Sequence, residues 1–292
     1  MLSLQLFFSA CLALVAAKPV QRDESLGPRD TAKTPVSSDE YANMVYYAQF
    51  PMSGQSFCTT PPSGIVEQQY FDITETATQA AIFRIDSRKE FVLAIPGTKD
   101  TQDYLTDADF FFTEYNALGG VSCDTCLVFS GFQIAWDSLS GQVEEGLRNA
   151  LGQYPDYTVS ISGHSLGAGI SELAFSTLRP QSFNISALYT YGAPRVGNKQ
   201  FADYIDSLSG ASDTSPGIYR RITHYNDPIP ALPPSFLGYV HPRSEYWEST
   251  DSPSLVTTYQ CCGQEPSDCI NSIPPATNLD AHSDYAGMKD FC

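Results

Sequence analysis

Tyr157-Thr158-Val159-Ser160-Ile161-Ser162-Gly163-His164-Ser165-Leu166-Gly167-Ala168-Gly169 is the stretch on which the fold turns. Residues 157–162 read as a short strand, and a helix opens at about Leu166 and runs until Pro180 stops it. Between them stands Gly163-His164-Ser165-Leu166-Gly167, a G-x-S-x-G. Entered by a strand and left by a helix, this pattern reads as a nucleophile elbow, a sharp turn that exposes a serine hydroxyl at a helix N-terminus. Gly163 and Gly167 let strand and helix close on a strained turn, and Ala168 and Gly169 keep the approach clear. The helix end favours negative charge developing beside Ser165. By itself the pattern also fits a Gly-rich turn with no chemistry, so Ser165 must be judged by its partners.

Outward from the elbow, strands and helices alternate. Residues 80–85 and 91–95 read as strands around a polar turn, and the second is apolar throughout, as a strand covered on both faces should be. Phe132, Trp136, Leu139, Val143, Leu147 and Leu151 recur every three or four residues and mark one face of a long helix. Residues 185–191 and 219–224 are further strands, and Phe201, Tyr204, Ile205 and Leu208 mark a helix between them. Ser37-Ser38-Asp39-Glu40 resembles a capping box that opens a helix through Tyr47. The alternation predicts an α/β fold with helices on both faces of a sheet.

The 292 residues suffice for one large domain. The composition is globular, and a formal net charge of −17 repels nucleic acid and anionic membrane faces. Residues 1–17 read as a signal peptide: residues 2–13 are mostly apolar, and Val15-Ala16-Ala17 offers small residues for cleavage. That apolar stretch is too short to span a membrane comfortably, and no other segment is a candidate. Residues 18–36, polar and broken by Pro19, Pro28 and Pro35, read as a pro-segment or flexible arm, which leaves 37–292 as the folded domain. Of the eight cysteines, Cys11 leaves with the signal peptide, and the odd number remaining leaves one thiol over in an oxidising compartment. Cys123 and Cys126 read as a local staple, and Asn184-Ile185-Ser186 is an N-glycosylation sequon.

Ser165 needs a base, and the base needs a carboxylate to orient it. In α/β-hydrolases the chain order is serine, acid, histidine. Asp227 suits the acid, because Pro228 biases it away from helix and Pro230 stiffens the same loop; Asp280 and Asp284 are rivals. Of the four histidines, His164 sits on the elbow and should point elsewhere, while His224 lies at a strand end just before Asp227. His241 and His282 both follow Asp227, and the residues alone do not separate them.

Five motifs in order give the chain a resemblance to the fungal class 3 lipase family, over about residues 41–292. They are Ile95-Pro96-Gly97-Thr98, residues 162–169, Tyr189-Thr190-Tyr191-Gly192-Ala193-Pro194-Arg195-Val196-Gly197-Asn198, His224-Tyr225-Asn226-Asp227-Pro228-Ile229-Pro230 and His282-Ser283-Asp284-Tyr285. The resemblance implies an α/β-hydrolase fold, a central mostly parallel sheet flanked by helices with a short lid over the active site. It assigns the base to His282, within an H-x-x-Y pattern, and leaves His241 as a second, non-catalytic histidine. Beside the Leu166 N–H, which directly follows the nucleophile and should be one oxyanion donor, it places the second donor at Thr98, and it puts the lid at residues 99–109, with Tyr104 and Leu105 on a thin apolar face. Pro96 and Phe129 depart from relatives, which often have Arg and His there. Phe110, Phe111 and Phe112 follow the lid as candidates for an acyl or aryl pocket, with core packing the expected fate of at least one. The resemblance also implies disulfides Cys58–Cys292, Cys123–Cys126 and Cys261–Cys269, with Cys262 unpaired, although a Cys262–Cys269 pairing is an alternative.

These readings describe a secreted, extracellular, monomeric serine carboxylic-ester hydrolase, first of all a lipase on acylglycerols working through an acyl-enzyme. A feruloyl or other cell-wall esterase is the alternative on the same fold, and a non-catalytic binding protein is the remote one. No metal or organic cofactor is required. The expected partners are a small-molecule or lipid ester and, transiently, an oil–water interface, with no nucleic acid and no integral membrane span.

Overall fold

The computed structural model describes residues 33–52, 64–97, 110–116 and 123–288. The expectations for the signal peptide, most of the arm, Thr98, the lid with Tyr104 and Leu105, and Cys58–Cys292 lie outside the described residues. The strands are β1 (Thr34–Pro35), β2 (Ile65–Ile73), β3 (Thr78–Ile85), β4 (Glu90–Ile95), β5 (Phe112–Glu114), β6 (Leu127–Phe129) and β7 (Thr158–His164), followed by β8 (Ile185–Tyr191), β9 (Gly197–Asn198), β10 (Tyr219–His224), β11 (Tyr239–Val240), β12 (Glu245–Glu248) and β13 (Thr258–Gln260). The helices are α1 (Ser38–Ala48), α2 (Ser130–Gln153), α3 (Leu166–Leu178) and α4 (Lys199–Ser209).

The main sheet runs β1-β13-β12-β10-β8-β7-β4-β3-β2. Its centre, β4-β7-β8-β10-β12, is parallel, while β2 and β3 on one side and β13 and β1 on the other are antiparallel. This is the mostly parallel, helix-flanked sheet of an α/β-hydrolase. β4 explains the apolar run: Phe91, Leu93 and Ile95 join one core cluster, and Val92 and Ala94 join the other. Successive side chains point to opposite faces, and both faces are covered. On the first face Phe132, Trp136, Leu139, Val143 and Leu147 of α2 are buried as their spacing predicts, and Trp136 Nε1 donates to Thr177 of α3 at 3.0 Å. On the second, Met44 and Tyr47 of α1 pack with Val92, Tyr191 and Ile222.

Two local expectations are altered. Ser37 Oγ accepts from the Glu40 amide at 3.1 Å, which is half of a capping box. The Glu40 carboxylate is drawn instead to Arg220, at 3.1 Å, because an ion pair with a neighbouring strand outweighs a contact with its own N-cap. The sheet also begins before Ser37: Thr34 and Pro35 pair with Gln260 and Tyr259, and the Val36 amide donates to Thr258 O at 3.2 Å. Residues 34–36 of the arm therefore belong to the folded sheet, where they satisfy the open edge of β13. A second, four-stranded sheet, β11-β9-β6-β5, was not foreseen, since its strands are too short to carry a hydrophobic period.

Candidate active site

Because the central strands are parallel, β7, β8, β10 and β12 all end at one edge of the sheet, where loops can gather side chains from distant parts of the chain. β7 ends at His164 and α3 starts at Leu166, so Ser165 alone makes the turn, with φ 56° and ψ −126°. The Ser165 amide donates to Tyr191 O at 2.9 Å, which ties the strained residue to β8. Such a backbone persists only when its surroundings hold it. A Cβ on Gly167 would sit 2.2 Å from the carbonyls of Ile95 and Pro96, so α3 reaches β4 only because no side chain intervenes. Leu166 is the first residue of α3, and its N–H has no acceptor within the helix.

Asp227 lies on the exit loop of β10 and is buried. Its Oδ1 accepts from the Ile229 amide at 2.8 Å, and its Oδ2 lies 2.8 Å from His282 Nδ1 and also accepts from the Tyr285 hydroxyl. The other ring nitrogen of His282, Nε2, is buried with no hydrogen-bond partner among the described residues. Nδ1–H facing a carboxylate leaves Nε2 as the basic nitrogen. Burial and the Asp227 charge push the Tyr285 phenol well above its usual value, so it acts as a donor. Gly192, just past β8, has φ +63°, and a Cβ there would stand 2.8 Å from His282 Cε1 and 2.9 Å from Nδ1. It is the floor against which the imidazole rests.

With this geometry in place, the comparisons with known proteins are specific. The sequence model of the family Lipase (class 3) matches residues 92–237. A lipase from Rhizomucor miehei is 30% identical over 273 residues, covering 87% of this chain and 70% of that protein.

The chain belongs to the class 3 lipase family.

It is a carboxylic-ester hydrolase. The secreted mono- and diacylglycerol lipase A of Penicillium camembertii is 36% identical over 186 residues, which are 64% of this chain and 56% of that protein. A triacylglycerol lipase in which a serine protease triad forms the catalytic centre superposes with a TM-score of 0.75 at 29% identity, over 88% of this chain and 97% of that one.

In this class 3 lipase the remaining histidines are occupied. His164 does not point away from the site: its ring stacks on His282 with centroids 4.6 Å apart, and its Nε2 lies 3.0 Å from the His282 carbonyl oxygen. Burial, with the neighbouring His282, pushes His164 down to about 3, so it stays neutral. His241 is buried with Nε2 2.9 Å from Pro230 O, and burial holds it well below its usual value. His224 bridges Ala281 O at 2.8 Å and Thr250 O at 3.0 Å. Asp227 therefore meets His282, which the residues alone had not separated from His241. Of the rival acids, Asp284 is buried and Asp280 is exposed, and His282 Nδ1 is bonded to neither.

Phe110 packs on Phe129, Phe112 stacks on Tyr239 at 4.0 Å, and Phe111 is 66% exposed, so two of the three Phe side chains serve packing. Phe129 itself is buried edge-on to Phe132. A cavity of about 300 Å³ lies beside Leu166, Ile170, Pro96 and Gly97. Neither Ser165 nor His282 is among its lining residues, so we do not read it as the acyl site. Cys123 is bonded to Cys126 and Cys261 to Cys269, and Cys262 carries an exposed thiol. Among the described residues there is no metal-binding cluster and no helix long and apolar enough to cross a membrane. Gly192 and Tyr285 lie in two of the motifs that carry the resemblance. Their signal was the motif itself, and only the contact with His282 and Asp227 gives it meaning.

Proposed function

We propose that this chain is a secreted lipase that hydrolyses acylglycerols through an acyl-enzyme on Ser165, with His282 as base and Asp227 as its orienting acid. One observation carries the reading: an imidazole held at Nδ1 by a buried carboxylate, with Nε2 left unpartnered, in a chain with a strained serine at the mouth of a helix. His282 Nε2 takes the proton as Ser165 Oγ attacks the ester carbonyl. The oxyanion is met by the Leu166 N–H and by Thr98. His282 then hands the proton to the leaving alcohol, the acyl-enzyme forms, and water deprotonated by His282 releases the acid. Acylglycerols are favoured by the names of the relatives, lipases and secreted mono- and diacylglycerol lipases. The same relatives support secretion, with residues 1–17 as leader, residues before the sheet as pro-segment, and the exposed Asn184 as a glycan site. A monomer that touches an oil–water interface transiently completes the proposal.

The test is hydrolysis of a monoacylglycerol, a triacylglycerol emulsion and methyl ferulate, with Ser165→Ala as control. We expect turnover of the glycerides and a loss of at least about 10⁴-fold in kcat on Ser165→Ala. Cleavage of methyl ferulate alone would move the substrate class to aryl esters, and an active Ser165→Ala would sink the mechanism.

A further inference from the structure

β10 and β12 stop side by side beneath the turn that carries His282, and their last residues, His224 and Glu248, are register partners. His224 Nδ1 lies 2.8 Å from Ala281 O, immediately before His282. Both carboxyl oxygens of Glu248 lie 3.2 Å from the amide of Ala286, just after Tyr285. The two strand ends thus hold the turn at both of its flanks. Ala286 needs such a hold, since its φ is 56°. Asp227 reaches the same turn through Tyr285, so a shift of Ala286 is passed to the acid and the base together.

Glu248 has no part in the chemistry above, yet it is completely buried. The groups that face it are Tyr41 from α1, Tyr191 from the end of β8, His224 from β10, and Asp284 and Tyr285 from the turn itself. Among the described residues no Lys or Arg is one of them. A carboxylate in that setting would have one amide donor in place of water and a like charge at Asp284.

We propose that Glu248 is a positioning residue for His282: uncharged, it holds the 282–286 turn through Ala286, and its ionisation loosens that turn and lowers turnover on the alkaline side. The inference rests on His282 being the base. Burial, partly offset by the Ala286 amide and reinforced by Asp284, pushes Glu248 up to about 8, so it keeps its proton at neutral pH and gives it up on the alkaline side. Opening the turn admits water and lets the carboxyl ionise, so opening is favoured as pH rises.

The test compares kcat and KM from pH 5 to 10 on a soluble monoester for wild type, Glu248→Gln and Glu248→Ala, with a melt of each at pH 6. Gln keeps an oxygen for the Ala286 amide and has no proton to lose. The wild type should lose kcat with a midpoint near 8, and in Glu248→Gln that midpoint should rise by about one pH unit or more while the acid limb stays put. Glu248→Ala should lower kcat at pH 7 about tenfold, with KM within about twofold. In the unmodified protein, hydrogen exchange at residues 282–288, corrected for base catalysis, should lose about tenfold in protection between pH 7 and 9. An alkaline limb unchanged by Glu248→Gln, or exchange protection flat across that range, overturns the proposal. An active Ser165→Ala would instead overturn the triad on which it rests.

Discussion

Gly192 and Tyr285 each hold one half of the His282–Asp227 pair, Gly192 by leaving room for the imidazole and Tyr285 by its hydroxyl on the carboxylate. A methyl at Gly192 would meet the imidazole at 2.8 Å in a backbone with φ +63°, so it must displace either the ring or the loop. Gly192→Ala is expected to cost about 100-fold in kcat, with a smaller change in KM, measured by steady-state kinetics on a soluble ester. A wild-type kcat would mean that His282 has another resting position. Tyr285 donates to the Asp227 oxygen that also faces His282. Tyr285→Phe removes one hydrogen bond to a charged acceptor, an effect of about 1.5–3 kcal/mol, and should lower kcat roughly ten- to 100-fold. In that variant Asp227 keeps the Ile229 amide at 2.8 Å but loses its only phenol donor among the described residues.

At the level of elements, β12 is the least obvious part of the sheet. Glu245-Tyr246-Trp247-Glu248 is buried along its whole length, with two carboxyls in it. Glu245 is tolerated because it meets fully buried Arg221 of β10 at 3.2 Å, the Thr223 hydroxyl at 2.7 Å and the Ile270 amide at 3.1 Å. Removing it strands the guanidinium. Glu245→Leu should therefore lose about 3–5 kcal/mol in urea unfolding, although it adds apolar surface, and a neutral result would show that Arg221 finds another partner. The strands legible in the sequence, β3, β4, β7, β8 and β10, are apolar or lie beside motifs. β2 was not, because as an edge strand it buries only Phe71 and its other positions are polar or half-exposed.

For the whole molecule, buried titratable groups set opposing pH dependences. His164, pushed down to about 3, and His241, held well below 6.5, stay neutral in the fold and take up protons on unfolding. Stability therefore falls as pH drops below 6.5, toward the folded values. Glu172 and Glu248, each pushed up to about 8 chiefly by burial, keep their protons in the fold and release them on unfolding above 4.5. They make stability fall as pH rises from 4.5 toward 8. The net charge of −17 at pH 7 adds repulsion on the alkaline side. Unfolding free energy measured against pH should accordingly peak on the acid side of neutrality, between about 4.5 and 6.5. A maximum at pH 8 or above would show that these acids are hydrated in the native state.

Local order was legible from the chain because its causes are local. A strand running into Gly163-His164-Ser165-Leu166-Gly167 and out into a helix is set by residues that touch in sequence, and α2 is set by its own apolar spacing. The α/β class, the elbow and Asp227 on a proline-stiffened loop follow from such neighbours. The pairing of Asp227 with His282, 55 residues further on, does not. Two histidines followed Asp227, and motif resemblance favoured one, but the distinction is physical only when β10 and β12 end side by side and present His224 and Glu248 to the turn around His282. The stacking of His164 on that ring and the space left at Gly192 have the same origin. Parallel strands bring their ends to one edge whatever separates them along the chain, so it is the strand order of the assembled sheet that decides which distant side chains share a site.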